Sequence, residues 1–173
     1  EPVPTPPDDP QLQEGDGLAT EKSGHGLLIK TADCQPLLLA HKDGGHVAAL
    51  HVGWRGNLAE FPRLGTLAFC RHYGLDPADL FAVRGPSLSP QQSEFVNFDS
   101  EWDQRFRPYF DPASKTMDLW RLTRDQLMSV GLLPRNIFGI DLCTRSSETF
   151  FSYRRGRESG RQGSFIWIEE ETS

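Results

Sequence analysis

The strongest constraint on the fold is a tight turn between two apolar segments. Residues 36–42 read PLLLAHK, residues 46–53 read HVAALHVG, and Asp-Gly-Gly at 43–45 separates them. Asp-Gly and Gly-Gly readily adopt the positive φ angles that short hairpin turns require. The sequence therefore predicts a β-hairpin, and the apolar pattern at 25–34 predicts a further strand before it.

The rest of the chain alternates between helical and strand patterns. A helix is predicted over about 57–73, with Asn57 as its N-cap, Pro62 in its first two turns and Gly74 as its C-terminal stop. The clearest amphipathic pattern predicts a second helix at 117–131. Weaker helical material occupies 91–110, and further strands are predicted at 81–85, 136–143 and 163–170. These elements predict a single compact α+β domain with mixed or antiparallel strands covered by helices.

Composition limits the classes of partner. The 173 residues suit one domain spanning 1–173, and the net charge of −6 argues against nucleic-acid binding. No apolar run approaches the roughly 20 residues needed to cross a bilayer. Three cysteines in unpaired spacing favour a reducing, cytoplasmic location over a disulfide framework. The first residues, EPVPTPPDDP, read as an extended connector without an initial Met, so we expect the domain to lack its N-terminal portion.

The hairpin carries four candidate ligands or nucleophiles: Cys34, His41, His46 and His51. His46 and His51 are five residues apart on one strand, so their side chains point to opposite faces. His41 and His46 flank the turn and are expected to be solvent-exposed. Folding the hairpin about its turn brings Cys34 near His51 at the open end, if a bulge forms near Pro36.

Three interpretations of the Cys34–His51 pair remain open at this point. Thiolate and imidazole are standard zinc ligands, and they also form nucleophile–base pairs for acyl transfer. A cysteine near a strand is otherwise most often inert core material. Asp33 and Arg55, charged residues beside the pair at the strand ends, favour a functional site.

A second cluster lies near the C-terminal end, where SYRRGRESGRQG combines arginines with glycines. Arginine binds phosphate and carboxylate groups in a bidentate manner, and glycine lets backbone N–H groups approach an anion. In a net acidic protein this basic island suggests an anionic ligand, although a solvated turn between strands would look the same. The arginines are Arg154, Arg155, Arg157 and Arg161.

Six motifs occur in an order that resembles a known family. They are TADCQP, HVGWRG, RGPSLSP, MDLW, DLCT and FFSYRRGRESGRQGSFIWI, and the match runs from about Asp16 to the C-terminal end. The combination of ADC-x-P, H-x-GWRG and SYRR…GRQ is highly specific. On these motifs the chain resembles the YfiH-like laccase-domain family.

The resemblance implies a compact α+β enzyme with a zinc site formed by two histidines and a cysteine. Cys34 and His51 match two of those metal ligands. The implied reaction is phosphorolysis of a purine nucleoside, with purine nucleoside and phosphate as substrates. Adenosine deaminase and methylthioadenosine phosphorylase activities in the same pocket are also implied.

The arginine of H-x-GWRG is Arg55, which joins Cys34 and His51 as the expected catalytic group. The expected phosphate-binding residues are Arg55, Arg154, Arg155 and Arg161. Copper is the alternative metal, because members of the family were once described as copper-dependent polyphenol oxidases. A degenerate member that binds purines without turnover is a third possibility. The resemblance leaves the oligomeric state open.

Three departures from the family pattern bear on the metal. The family's other histidine ligand lies in an upstream VHG-type motif, and His25, the only histidine before Cys34, does not sit in such a motif. Ser93 stands where the family has a tyrosine, although the following acid, Glu94, is kept. A second cysteine after the CT of DLCT is absent. Copper sites favour clusters of thiolate and imidazole ligands, so these losses weaken a multicopper interpretation.

Overall fold

The computed structural model describes residues 15–156 and 160–170, and the proline-rich start and Arg157 lie outside them. Within that part of the chain there are five helices: α1 (Trp54–Leu58), α2 (Phe61–Tyr73), α3 (Phe98–Glu101), α4 (Leu119–Ser129) and α5 (Tyr153–Gly156). The same residues form nine strands: β1 (Gly17–Thr20), β2 (Leu27–Thr31), β3 (Gln35–His41), β4 (Val47–Val52), β5 (Leu80–Arg84), β6 (Phe110–Asp111), β7 (Thr116–Met117), β8 (Ile137–Gly139) and β9 (Gln162–Ile166). Short 3-10 turns lie at Pro77–Asp79, Pro90–Gln92, Gln104–Tyr109 and Pro134–Asn136.

The central sheet has five strands in the order β1-β4-β3-β5-β8. β5 and β8 are parallel, and every other neighbouring pair in this sheet is antiparallel. β2 pairs with β9 in a two-stranded ribbon, and β6 pairs with β7. A mixed sheet with packed helices confirms the predicted α+β class.

The predicted hairpin is β3 and β4, with Gly44 at a φ of +75° in the turn. Pro36 pairs with His51 and Gln35 with Val52 in an unbroken register, so the expected bulge near Pro36 is absent. Cys34 lies two positions before Pro36. Because side chains alternate along a strand, Cys34 and His51 share one face as diagonal neighbours.

The single helix predicted over 57–73 is two helices, because Glu60 adopts a left-handed φ of +56° between them. Asn57 is therefore not an N-cap. It lies inside α1, fully buried, and its side-chain oxygen accepts a hydrogen bond from the Thr123 hydroxyl at 3.0 Å. Pro62 is tolerated because it occupies the first turn of α2. Gly74 ends α2 at a φ of +70°, as predicted.

The strand predicted over 136–143 is regular only as far as Gly139. Beyond it the pairing continues irregularly: the Ile140 amide donates to the Arg84 carbonyl, and Ser87 and Cys143 form an isolated bridge. The weak helical pattern at 91–110 yields only α3 and short 3-10 turns.

Two apolar clusters fill the interior. The sheet core joins β3, β4, β5 and α2 and includes Leu37, Leu39, Leu50, Phe69 and Leu127. The aromatic core includes Phe95, Phe98, Trp102, Phe106, Met117, Leu119 and Leu122. α4 contributes to both, because its first two turns face the aromatic core and its last turn faces the sheet core. Among the described residues, the helices are too short or too polar to pass through a bilayer.

Candidate active site

The open end of the hairpin brings Cys34 and His51 together in the lining of one pocket, as expected from folding the hairpin about its turn. Cys34 lies just before β3, and His51 is the second-last residue of β4. Both side chains are partly buried.

Asp16 is the second partner of His51. The two side chains meet at 2.8 Å between His51 Nδ1 and Asp16 Oδ1, and the His51 amide donates to the Asp16 carbonyl. The hydrogen bond with Cys34 raises the pKa of His51 to about 9; burial opposes that rise and Asp16 adds to it. Because Nδ1 is held by a carboxylate, Nε2 is the ring nitrogen left for a thiol, a metal or a substrate.

Gly53 allows the backbone to approach Cys34 closely. A Cβ atom built on Gly53 would lie 3.2 Å from Cys34 Sγ, which is tighter than an ordinary contact. The glycine therefore lets β4 turn directly into α1 beside the sulfur atom. Trp54, the first residue of α1, therefore lies near Cys34 and His51 and lines the same pocket.

Asp33 connects the hairpin to the arginine-rich segment. Its carboxylate accepts the Thr144 hydroxyl at 2.8 Å and the Arg154 backbone amide at 2.7 Å, and its carbonyl accepts the Leu88 amide. Its backbone has a left-handed φ of +84°, which aspartate tolerates better than most residues. This one residue thus brings three distant segments beside Cys34.

These segments enclose a pocket of about 440 Å³. Cys34 and His51 lie in its wall, the guanidinium-bearing residues Arg154 and Arg161 line it, and three aromatic side chains also face it. The aromatic residues are Trp54, Phe95 and Tyr153. The volume lies in the range of small-molecule sites, roughly 300–1,000 Å³.

The arginines of the sequence motifs occupy different places. Arg154 donates from Nη1 to the Glu94 carbonyl at 2.9 Å, and Arg161, directly before β9, donates from Nη1 to the Gly160 carbonyl at 2.8 Å. Arg155 donates to the Thr144, Ser147 and Phe150 carbonyls instead, and so holds the preceding loop. Arg55 is exposed and stacks over the Trp54 ring, with 4.4 Å from Cζ to the ring centroid. Arg55 and Arg155 are not among the residues that line the pocket.

The expectation that His41 and His46 are solvent-exposed is wrong. Their side chains are only 11% and 22% exposed. Tyr73 packs against His46 with 5.0 Å between ring centroids, and Asp43 contacts both imidazoles from the turn. As predicted, however, these two histidines lie away from the Cys34–His51 pocket.

The pocket residues do not by themselves complete a zinc site. Catalytic zinc takes three protein ligands and a water molecule, and Cys34 and His51 supply two. Within residues 15–156 and 160–170, these two are not part of a cluster of three or more close metal-ligand side chains. Asp16 is bound to the far side of the His51 ring, where it orients the imidazole.

The sequence did not point to Asp16 as a partner of His51, or to Trp54, Phe95 and Tyr153 as the aromatic residues that line the pocket. Asp16 is 35 residues from His51, and it meets His51 only because β1 pairs with β4. Phe95 lies in a segment whose pattern suggested only weak helix. No local signal marks either residue, although the aromatic content of the chain made a stacking surface available.

Comparison with known proteins identifies a family and several relatives that the chain is similar to. The sequence profile of the multi-copper polyphenol oxidoreductase laccase family matches residues 3–169. A protein from Xylella fastidiosa (strain Temecula1), named purine nucleoside phosphorylase, is 39% identical over 162 residues, covering 88% of this chain and 60% of that protein. Purine nucleoside phosphorylase YfiH from Escherichia coli (strain K12) is 34% identical over 165 residues, covering 90% of this chain and 65% of that protein.

The fold has solved counterparts. The crystal structure of YlmD from Geobacillus stearothermophilus superposes with a TM-score of 0.78 at 29% identity, covering 90% of this chain and 61% of that one. The chain thus spans 60% to 65% of the length of these relatives. The profile match confirms the resemblance drawn from the six motifs, and the chain belongs to the multi-copper polyphenol oxidoreductase laccase family.

Proposed function

We propose that this chain belongs to an enzyme that cleaves purine nucleosides with inorganic phosphate. The observation that carries the proposal is that a Cys34–His51 pair, two arginines and three aromatic side chains line one 440 Å³ pocket. Relatives named purine nucleoside phosphorylase at 34% and 39% identity support the same reaction. The proposal extends to adenosine, inosine, guanosine and methylthioadenosine as substrates.

Arg154 and Arg161 are the residues we assign to phosphate. Guanidinium groups match phosphate oxygens bidentately, and these two lie in the pocket of a chain whose net charge is −6. We assign Arg155 to holding the loop carbonyls beside Arg154, and Arg55 to positioning Trp54. Trp54, Phe95 and Tyr153 offer flat faces for the purine ring.

The reaction needs a positioned phosphate nucleophile and a proton donor for the departing purine, and we assign both tasks to residues of the pocket. A phosphate oxygen attacks the anomeric carbon, the bond to the purine nitrogen breaks, and the bonding electrons leave with the purine, which takes up a proton. Arginines hold the nucleophile in place. In the metal-free site His51, with a pKa of about 9, is protonated at neutral pH and is our candidate for delivering that proton.

Zinc is the metal we propose for Cys34 and His51, with copper as the alternative. Bound there, zinc would supply a Lewis acid or an activated water, the chemistry that deamination of adenosine requires. Because the described residues provide two ligands rather than three, we derive no step through the metal.

The thiols of Cys34, Cys70 and Cys143 are all free, which supports a cytoplasmic setting.

The test is phosphate-dependent release of hypoxanthine from inosine by the full-length protein. We expect Cys34→Ser and Arg154→Gln each to abolish or strongly reduce release. The matched controls are Cys143→Ser, at a cysteine that does not line the pocket, and Arg71→Gln, at an exposed arginine of α2. Full activity in a folded Cys34→Ser protein would rule out this role for the pocket.

Copper-dependent oxidation of phenols is the alternative that the family description favours. Metal analysis of protein purified without added metal separates the two functions. Stoichiometric copper together with phenol oxidation would replace our proposal, whereas zinc with phosphorolysis supports it. Tight nucleoside binding without turnover would instead identify a member that only binds purines.

A further inference from the structure

The closed end of the hairpin holds a second cluster of potential metal ligands. His41 is the last residue of β3, His46 immediately precedes β4, and Asp43 lies in the turn between them. The backbone fixes this geometry, because the His41 amide donates to the His46 carbonyl at 3.0 Å and the Gly45 amide donates to Asp43 Oδ1 at 2.8 Å. Both histidines are largely buried, and Asp43 is about half exposed.

The ligand atoms of the three side chains lie close enough together to share one metal ion. His41 Nδ1 is 2.9 Å from Asp43 Oδ1, and His46 Nδ1 is 3.4 Å from Asp43 Oδ2. One ligand atom from each residue lies within 4.8 Å of the other two. Ligands at about 2.0–2.1 Å from a tetrahedral zinc ion are themselves roughly 3.3 Å apart, so the observed spacing fits such an ion.

One nitrogen atom on each imidazole of this cluster has no hydrogen-bond partner among the described residues, whereas Asp43 Oδ1 accepts the Gly45 amide. Neither Nδ1 contact has hydrogen-bond alignment, so the Nδ1 atoms of His41 and His46 are buried without a hydrogen-bond partner. On the other side of the His46 ring, Glu21 lies 3.9 Å from Nε2. A cation held by the two Nδ1 atoms and the Asp43 carboxylate would give both nitrogen atoms a partner.

We propose that His41 Nδ1, His46 Nδ1 and one carboxylate oxygen of Asp43 form a second metal site, for a divalent ion of the zinc class. Two imidazoles and one carboxylate suit Zn²⁺, Ni²⁺ or Cu²⁺ better than Ca²⁺ or Mg²⁺, which prefer oxygen ligands. Water completes the coordination on the exposed side of Asp43. Tyr73 closes the other side by packing on His46.

This site is separate from the pocket. His46 and His51 are five residues apart along one extended strand, which places them roughly 17 Å apart. An ion at the turn joins the ends of β3 and β4, whose other ends carry Cys34 and His51. We therefore assign it a structural role, that of fixing the hairpin on which the pocket depends.

The experiment isolates the turn site in a Cys34→Ser, His51→Ala double variant of the full chain. Titration with Zn²⁺ followed by calorimetry, and with Co²⁺ followed by visible absorption, is expected to show one ion per chain. Adding His46→Gln or Asp43→Asn should weaken Zn²⁺ binding at least tenfold. Asp79→Asn, at a neighbouring carboxylate paired with Lys42, and His72→Gln, at an exposed histidine beside Tyr73, should leave it unchanged.

A second measurement covers the case in which the double variant does not fold. In the otherwise unchanged chain, excess Zn²⁺ should raise the melting temperature, and His46→Gln should lose part of that rise and one bound ion per chain. A folded double variant that binds no ion would overturn the proposal. So would Zn²⁺ affinity and stoichiometry that are the same with and without His46→Gln and Asp43→Asn.

Discussion

At the scale of single residues, Asp16 sets the orientation of His51. Its carboxylate lies 2.8 Å from His51 Nδ1, which leaves Nε2 directed at the pocket. Partners on the far side of a functional histidine are typically worth about 10- to 100-fold in metal affinity or activity. We therefore expect Asp16→Asn to lower kcat/KM for inosine by that factor, as measured by hypoxanthine release. Asp99→Asn, at an exposed carboxylate that does not line the pocket, should leave kcat/KM unchanged.

Cys143 gives a prediction at the same scale that is independent of the pocket. Burial alone would raise the pKa of its thiol, but hydrogen bonds with Ser146 and Ser89 outweigh burial and lower it from 9.0 to about 7. Its alkylation by iodoacetamide, followed by mass spectrometry, should reach half its maximal rate near pH 7, and Ser146→Ala should shift that midpoint upward. Since the folded-state pKa is depressed, the stability this thiolate contributes is present above about pH 9 and lost as pH falls through about 7.

Cys70 is the internal control for that measurement. It is 5% exposed, and burial raises the pKa of its thiol. We expect Cys70 to react only when the chain unfolds. A Cys143 midpoint near that of an ordinary free thiol would contradict the hydrogen-bonded arrangement at Ser89 and Ser146.

At the scale of elements, Asp33 joins the hairpin to the segment that carries Arg154. Asp33→Ala removes the acceptor for the Thr144 hydroxyl and the Arg154 amide and places alanine at a positive φ. Losing such partners costs about 1–3 kcal/mol in the free energy of unfolding, measured by urea denaturation. The KM for phosphate should also rise, because Arg154 loses its anchor. Asp33→Asn keeps an acceptor and tolerates this backbone, so equal losses in both variants would refute the assignment.

The elements also show what the sequence can and cannot predict. The β3–β4 hairpin was predictable because Asp43, Gly44 and Gly45 fix the turn locally. The break before α2 was not, since Glu60 carries no local signal for a left-handed conformation. The Cys34–His51 contact follows from the hairpin, whereas the contact between Asp16 and His51 depends on strand pairing across 35 residues.

At the scale of the whole molecule, the two apolar cores share α4. Leu119 and Leu122 pack in the aromatic core and Leu127 in the sheet core, so loosening one end of this helix should loosen the other. This arrangement supports the proposal that the chain is a single domain. Such a domain unfolds in one cooperative step.

Leu127→Ala tests that cooperativity. The side chain is 1% exposed, and its truncation in a packed core costs about 2–5 kcal/mol in the free energy of unfolding. We expect the urea midpoint to fall equally by far-UV circular dichroism and by the fluorescence of a Trp120→Phe, Trp167→Phe background, whose remaining tryptophans, Trp54 and Trp102, pack in or against the other core. Leu64→Ala, at an exposed residue of α2, should leave both midpoints nearly unchanged. If Leu127→Ala moved the dichroism midpoint and not the fluorescence midpoint, the cores would unfold separately and the chain would comprise two units.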